Sequence, residues 1–265
     1  MKKLLTATAT AVALATAGTA GAADLPVKAP PMPPPPVATW TGCYLSGGVG
    51  YGMWNQDHFL FDAPAGNFQL TPQETAGGRG WLGRVGGGCD YQFNGNFVVG
   101  VFGDYDFKDI HSHDFANLGA EIGANEKESS SWAVGGRVGY LPYDNLLTFI
   151  SGGWTEARFD RMDLFAAINP PVSLNAFIDG HTYSGWFIGG GYEYRLPWWQ
   201  SVTWKTEYRF AEYGHDNLTI WVDDPRRGIV DSGLRLHSEK FEQTVTTSLV
   251  WRFNFWGGGP GYGRY

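Results

Sequence analysis

Between residues 202 and 210 the chain alternates without a break. Val202, Trp204, Thr206, Tyr208 and Phe210 fall on one parity; Thr203, Lys205, Glu207 and Arg209 fall on the other. A period of two marks a β-strand with one apolar and one charged face. The division recurs along the chain. One parity carries Trp81, Val85 and Tyr91; Val99, Val101, Tyr105 and Phe107; Trp132, Val134, Val138 and Tyr140; Trp186, Ile188, Tyr192 and Tyr194; and Phe241, Val245, Leu249, Trp251 and Phe253. The other carries Arg84, Asp90, Asp104, Asp106, Lys108, Arg137, Glu156, Arg158, Glu193, Arg195, Lys205, Glu207, Arg209, Glu242 and Arg252. One segment is mixed, because Ile150 and Trp154 share the parity of Glu156 and Arg158.

The alternation predicts strands near 40–55, 79–92, 97–108, 130–141, 147–158, 182–195, 201–210 and 240–254. Connections after the even strands are short (93–96, 142–145 and 196–200), whereas those after the odd strands run to about 20 residues or more. A composition with 16% aromatic residues and Gly 38 in 265 residues suits many Gly-kinked strands. Beyond the N-terminus no run of about 18 apolar residues could serve as a membrane helix. A soluble β-barrel binding a small apolar ligand would turn the aromatic parity inward, and it does not predict the alternation of loop lengths. Covering so many outward aromatics in water would require outer helices or a second sheet, and the sequence offers neither. The fold class expected is therefore all-β: an eight-stranded antiparallel up-and-down transmembrane β-barrel, with long extracellular loops and short periplasmic turns. The aromatic parity faces lipid, and Trp40, Trp54, Trp81, Tyr140 and Trp204, near strand ends, are expected in the interfacial girdles.

The charged parity then fills the lumen. Arg84, Lys108, Arg137, Arg158, Arg195, Lys205, Arg209 and Arg252 face Asp90, Asp104, Asp106, Glu156, Glu193, Glu207 and Glu242. Unpaired charges in a narrow interior are costly, so this near balance predicts an interlocked network of ion pairs. About eight strands leave an interior that side chains can just fill. A plugged barrel is expected, in a structural rather than a catalytic role.

The first residues predict export. Lys2 and Lys3 precede a short apolar core from Leu4 to Ala15 and the small residues Ala20-Gly21-Ala22, the pattern of a signal peptide over 1–22. Its loss takes the formal charge from −7 to −9. A Pro-rich periplasmic lead over 23–38 is expected to be extended, as a spacer or a docking segment for an envelope partner. The barrel is expected over 39–255, followed by a Gly-rich tail at 256–265.

Several short motifs, in this order, carry a resemblance: Ala23-Asp24-Leu25-Pro26, Trp40-Thr-Gly-Cys-Tyr-Leu-Ser-Gly-Gly-Val-Gly-Tyr51, Gly87-Gly-Cys-Asp-Tyr-Gln92, Phe102-Gly-Asp-Tyr105, Gly135-Gly-Arg-Val-Gly-Tyr140 and Lys205-Thr-Glu-Tyr208. The chain resembles the small outer-membrane surface-antigen barrels of alphaproteobacteria, a porin-like family similar in fold to the OmpA membrane domain. The resemblance implies an outer-membrane location in a Gram-negative bacterium and roles in envelope integrity and surface interaction. Some members have porin or haem-binding activity, so limited solute diffusion and surface haem or metal binding stand as alternatives. Expected partners are outer-membrane lipid and lipopolysaccharide, the outer-membrane assembly machinery, and host or cell-surface ligands. The assembly machinery usually reads a last strand ending in an aromatic residue, here Phe253 or Phe255, with the terminal Tyr265 as a further candidate.

The two cysteines admit a geometric reading. If the first two strands pair about a loop centred near residue 66, Cys43 stands opposite Cys89 on the lipid-facing parity, where an oxidising compartment would join them. His58, His111, His113, His181, His215 and His237 all fall in or beside predicted extracellular loops. His111 and His113 could share one face of an extended segment, a weak metal or haem candidate; no cofactor is expected. The same loops concentrate Asp and Glu, an acidic rim that favours divalent cations bridging lipopolysaccharide phosphates and disfavours nucleic acid. No Ser, His and Asp fall together in a nucleophile motif, so no catalytic residue is expected.

Overall fold

The computed structural model describes residues 39–117 and 121–253. The expected signal peptide, Pro-rich lead and Gly-rich tail, together with Phe255, lie outside the described residues. Eleven strands are described: β1 (Gly42–Asp62), β2 (Phe68–Gln69), β3 (Glu74–Phe93), β4 (Phe97–Asn117), β5 (Glu121–Tyr143), β6 (Leu146–Phe159), β7 (Met162–Ala166), β8 (Val172–Ile178), β9 (His181–Arg195), β10 (Val202–Asp224) and β11 (Gly228–Phe253). Eight of them form a closed antiparallel ring in the order β1, β3, β4, β5, β6, β9, β10, β11, and β11 pairs back onto β1. Closure leaves no free edge, which is what a β-structure in hydrocarbon requires.

The turns at one end are tight, as the sequence implies. β3 and β4 are joined by the three residues Asn94-Gly95-Asn96, with Asn94 and Gly95 at positive φ (48° and 76°), where Asn and Gly are the residues best tolerated. Between β1 and β3 the register is centred on residue 66, which sets Cys43 against Cys89, and the two are joined by a disulfide.

The aromatic parity faces outward throughout the ring. Trp81 (69% exposed), Val101 (67%), Phe107 (60%) and Trp251 (57%) would be untenable in water in such numbers and are at home in lipid. From Phe97 to Phe107, about ten residues at ~3.4 Å each and tilted by ~40°, the apolar band stands roughly 25 Å tall. Trp81, Phe107, Trp132, Trp154 and Trp186 mark its upper edge on successive strands, and Tyr91, Tyr140 and Tyr192 its lower part.

Three expectations need correction. The segments expected as long loops are largely strand: β10 and β11 continue to Asp224 and Gly228, so the wall rises well above the band. β6 and β9 are shorter, and the hairpin of β7 and β8 completes the wall above them by pairing with β5 and β10. Trp40 and Trp54 are not girdle residues but lie inside, each 1% exposed, because they share the parity of Tyr44 rather than that of Leu45 and Val49. Glu156 and Arg158 point outward with Ile150 and Trp154; they stand above the band, where an outward charge meets headgroups and water rather than lipid chains.

Candidate functional site

The interior of the ring is built from charged groups packed against buried aromatic rings and short side chains. Eight cations (Arg84, Lys108, Arg137, Arg195, Lys205, Arg209, Lys240 and Arg252) and eight carboxylates (Asp90, Asp104, Asp106, Glu126, Glu128, Glu193, Glu207 and Glu242) have side chains less than a tenth exposed. They stack in layers, ordered by the inward residues of β11 from Arg252 upward.

The lowest layer draws one residue from each alternate strand of the ring. Arg137 on β5 clasps Asp90 on β3 through two nitrogens (2.9 and 2.5 Å) and reaches Glu193 on β9 at 3.1 Å. Arg252 on β11 donates to the same Glu193 (2.9 and 2.7 Å) and returns to Asp90 at 2.8 Å. Four groups of alternating sign thus close a cycle across the lumen. Thr203 donates to Glu193, and the Arg137 and Arg252 guanidinia lie over the Tyr44 ring at 4.7 and 5.1 Å. Below the cycle Trp40 caps the mouth, flanked by Arg195 and Arg252 at 4.7 Å each.

In the next layer Arg84 forms a two-pronged pair with Asp106 (2.7 Å each), and Arg209 a second with Asp104 (3.0 and 2.8 Å). β4 and β10 are diametrically opposed, so the Arg209–Asp104 pair spans the lumen. Glu207 sits between Arg209 (3.2 Å), Lys205 (3.3 Å) and Arg84 (3.6 Å), and accepts from Ser151 at 3.0 Å. Such planar two-point pairs are the strongest form of the interaction and fix geometry as well as charge.

Above them Lys108 joins Glu128 (2.6 Å) and Glu242, whose second oxygen accepts from Tyr213 at 2.7 Å. The highest charged layer is Lys240, bound to Glu126 at 2.6 Å and to Gln56, with its ammonium against Trp54 (4.2 Å), Phe159 (4.3 Å) and Tyr183 (5.4 Å). This pair too joins opposed strands, β11 and β5. A cavity of about 10 Å³ beside Arg84, Lys108 and Glu242 barely holds one water. Over the charges lies an apolar cluster of Leu60, Ala124, Met162, Ile178, Leu218, Ile220 and Leu236, enclosing a cavity of about 40 Å³ above Gln56 and His58.

Of the fifteen lumen charges expected from sequence, thirteen, Arg84, Asp90, Asp104, Asp106, Lys108, Arg137, Glu193, Arg195, Lys205, Glu207, Arg209, Glu242 and Arg252, lie inside the ring, and Glu156 and Arg158 face outward. Sequence reasoning missed Lys240, Glu126 and Glu128. The two glutamates fall in the long connection expected between the strands near 97–108 and 130–141; the parity of β5 shifts at a register irregularity between Glu128 and Ser130 and turns them inward. Lys240 stands at the border of the expected strand on the charged parity, and that parity was the signal that could have found it.

The histidines are scattered over the raised wall. His58 faces the lumen; His111 is exposed and paired with Asp109 at 3.0 Å, and His181 pairs with Asp216 at 2.8 Å. His215 and His237 lie side by side on the outer surface. The side chain of His113 lies outside the described residues, and the described residues hold no cluster of three metal-ligating side chains. Far above the membrane band, the Arg235 guanidinium and the Gly233 N–H hold Asp231 below the usual carboxylate range.

The match to the family model "Outer membrane protein beta-barrel domain" covers residues 10–253. The 31 kDa outer-membrane immunogenic proteins of Brucella melitensis biotype 1 and Brucella suis biovar 1 are each 26% identical over 241 residues, 89% of this chain and 94% of theirs. Among solved structures, the outer membrane protein OprG from Pseudomonas aeruginosa aligns with a TM-score of 0.48 at 9% identity, over 81% of this chain and 97% of that one. With an eight-stranded closed ring and a family match over most of its length, the chain belongs to the outer-membrane protein β-barrel domain family and resides in the outer membrane of a Gram-negative bacterium.

Proposed function

We propose that this protein is a non-enzymatic barrel with a charge-plugged lumen, acting in envelope integrity and surface interaction rather than in solute diffusion. The observation that carries the reading is the balanced set of eight cations and eight carboxylates, with pairs that join opposed walls at two heights (Arg209–Asp104 and Lys240–Glu126). A solute crossing the lumen would have to break pairs that are buried and mutually neutralised, and each broken pair leaves a desolvated charge. The surface role draws on the tall extracellular wall, with exposed Phe68, Ile168 and Ile229, and on the immunogenic proteins to which the chain is similar. Its partners on this reading are outer-membrane lipid and lipopolysaccharide, the assembly machinery that inserts the barrel, and ligands on other cell surfaces.

Swelling of proteoliposomes tests the claim. Vesicles holding the refolded protein, its fold checked by heat-modifiable migration, should take up small sugars no faster than protein-free vesicles. Uptake at a rate that falls with sugar size would assign the protein to solute diffusion.

A further inference from the structure

The lipid-facing surface is not uniformly convex. Between β5, β6 and β9 lies a groove of about 380 Å³, walled by Val138, Ile150, Trp186 and Ile188 and floored by Gly136 and Gly152. The two glycines are direct cross-strand partners, so two neighbouring strands lack a side chain at the same place. The groove sits within the apolar band, with Trp186 at its upper end and Trp154 above it.

The charge above the band is unevenly distributed on the same outer surface. On the face from β3 to β6, Arg79 pairs in register with His111, and His111 with Lys127; Asp109, Glu156 and Asp160 stand among these cations, so the face carries three positive and three negative groups. Arg158, on a strand that walls the groove, projects outward two positions above Glu156. Lys127 is held by Asp109 at 2.7 Å, whereas neither Arg79 nor Arg158 has a carboxylate partner among the described residues. The opposite face, β10, β11 and β1, carries Glu212, Glu239, Asp57 and Asp216 at comparable heights.

We propose that the β3–β6 face binds one lipopolysaccharide molecule, with an acyl chain in the Gly136–Gly152 groove and phosphate held by Arg158 and its neighbours Lys127 and Arg79. The groove offers apolar contact at chain depth, and the unpaired guanidinia offer two-point hydrogen bonds to phosphate at headgroup depth. The opposite, acidic face would repel the same headgroup. The inference rests on the outer-membrane placement and stands whether or not the lumen conducts.

Native mass spectrometry of the full refolded chain, titrated with purified rough-type lipopolysaccharide, tests it. Wild type should carry one lipid per barrel. Arg158→Gln, Gly136→Leu and enzymatic dephosphorylation of the lipid should each weaken binding by about tenfold or more. A Cβ at position 136 would meet nothing nearer than the Gly100 carbonyl oxygen at 3.6 Å, so the leucine fills the groove without forcing the backbone. Should Gly136→Leu nevertheless fail the heat-modifiability check, the exposed Arg158→Gln decides alone. Unchanged affinity in the folded variants would overturn the proposal. So would equal binding of phosphatidylglycerol, or a dimer of barrels occupying the groove that Gly136→Leu disrupts.

Discussion

Lys240 shows how a single residue is held in this interior. Its ammonium has left water entirely, and the aromatic faces of Trp54, Phe159 and Tyr183 together with the Glu126 carboxylate replace its hydration. Removing one charge strands the other: Lys240→Met should cost about 3–5 kcal/mol, whereas Lys240→Met with Glu126→Leu should recover most of that loss. Urea unfolding in lipid vesicles, followed by tryptophan fluorescence, measures both, and equal losses in the single and double variants would deny the coupling. The same logic separates inward from outward arginines. Arg137→Ala breaks two contacts with Asp90 and one with Glu193 and should be destabilising by about 3–5 kcal/mol, while Arg158→Ala should lie within about 0.5 kcal/mol of wild type.

At the scale of elements, the disulfide and the β7–β8 hairpin each make a separable contribution. Cys43–Cys89 spans 46 positions, and the corresponding loop closure stabilises by about 4 kcal/mol on the chain-entropy account. A Cys43→Ser, Cys89→Ser variant should therefore shift from folded to unfolded migration at a lower temperature than oxidised wild type, and match wild type treated with reductant. The β7–β8 hairpin completes the upper wall and contributes Met162 and Ile178 to the apolar cluster. Replacing 161–179 with a short Gly-Ser turn should expose β5 and β10 above the band to added protease while leaving the lower layers intact; protection equal to wild type would mean that the hairpin is not part of the wall. The eight membrane strands were legible because lipid outside and charge inside impose a strict period of two. Above the membrane the rule changes. On β11 the inward parity runs from Arg252 and Glu242 to Leu236, apolar inside and polar outside, as in a water-soluble sheet. That reversal, together with parity shifts at Glu128/Ser130 and Tyr213/His215, made continuous strands read as polar loops and hid Glu126 and Glu128.

For the whole molecule, an eight-strand ring fixes a bore that side chains can fill, and the sequence fills it with charges that neutralise one another layer by layer. Within a layer, carboxylates are shared: Glu207 binds Lys205, Arg209 and Arg84, and Glu193 binds Arg137 and Arg252, so loss of one group loosens the rest of its layer. Closure is thus a property of the network rather than of any one pair. Single-channel recording in planar bilayers, with wild type beside Lys205→Ala, Glu207→Ala, tests this most directly. A plugged lumen predicts electrical silence from the wild type and frequent openings from the double variant, in which Arg84 and Arg209 lose their shared carboxylate. A steady, sizeable conductance from the wild type would contradict it.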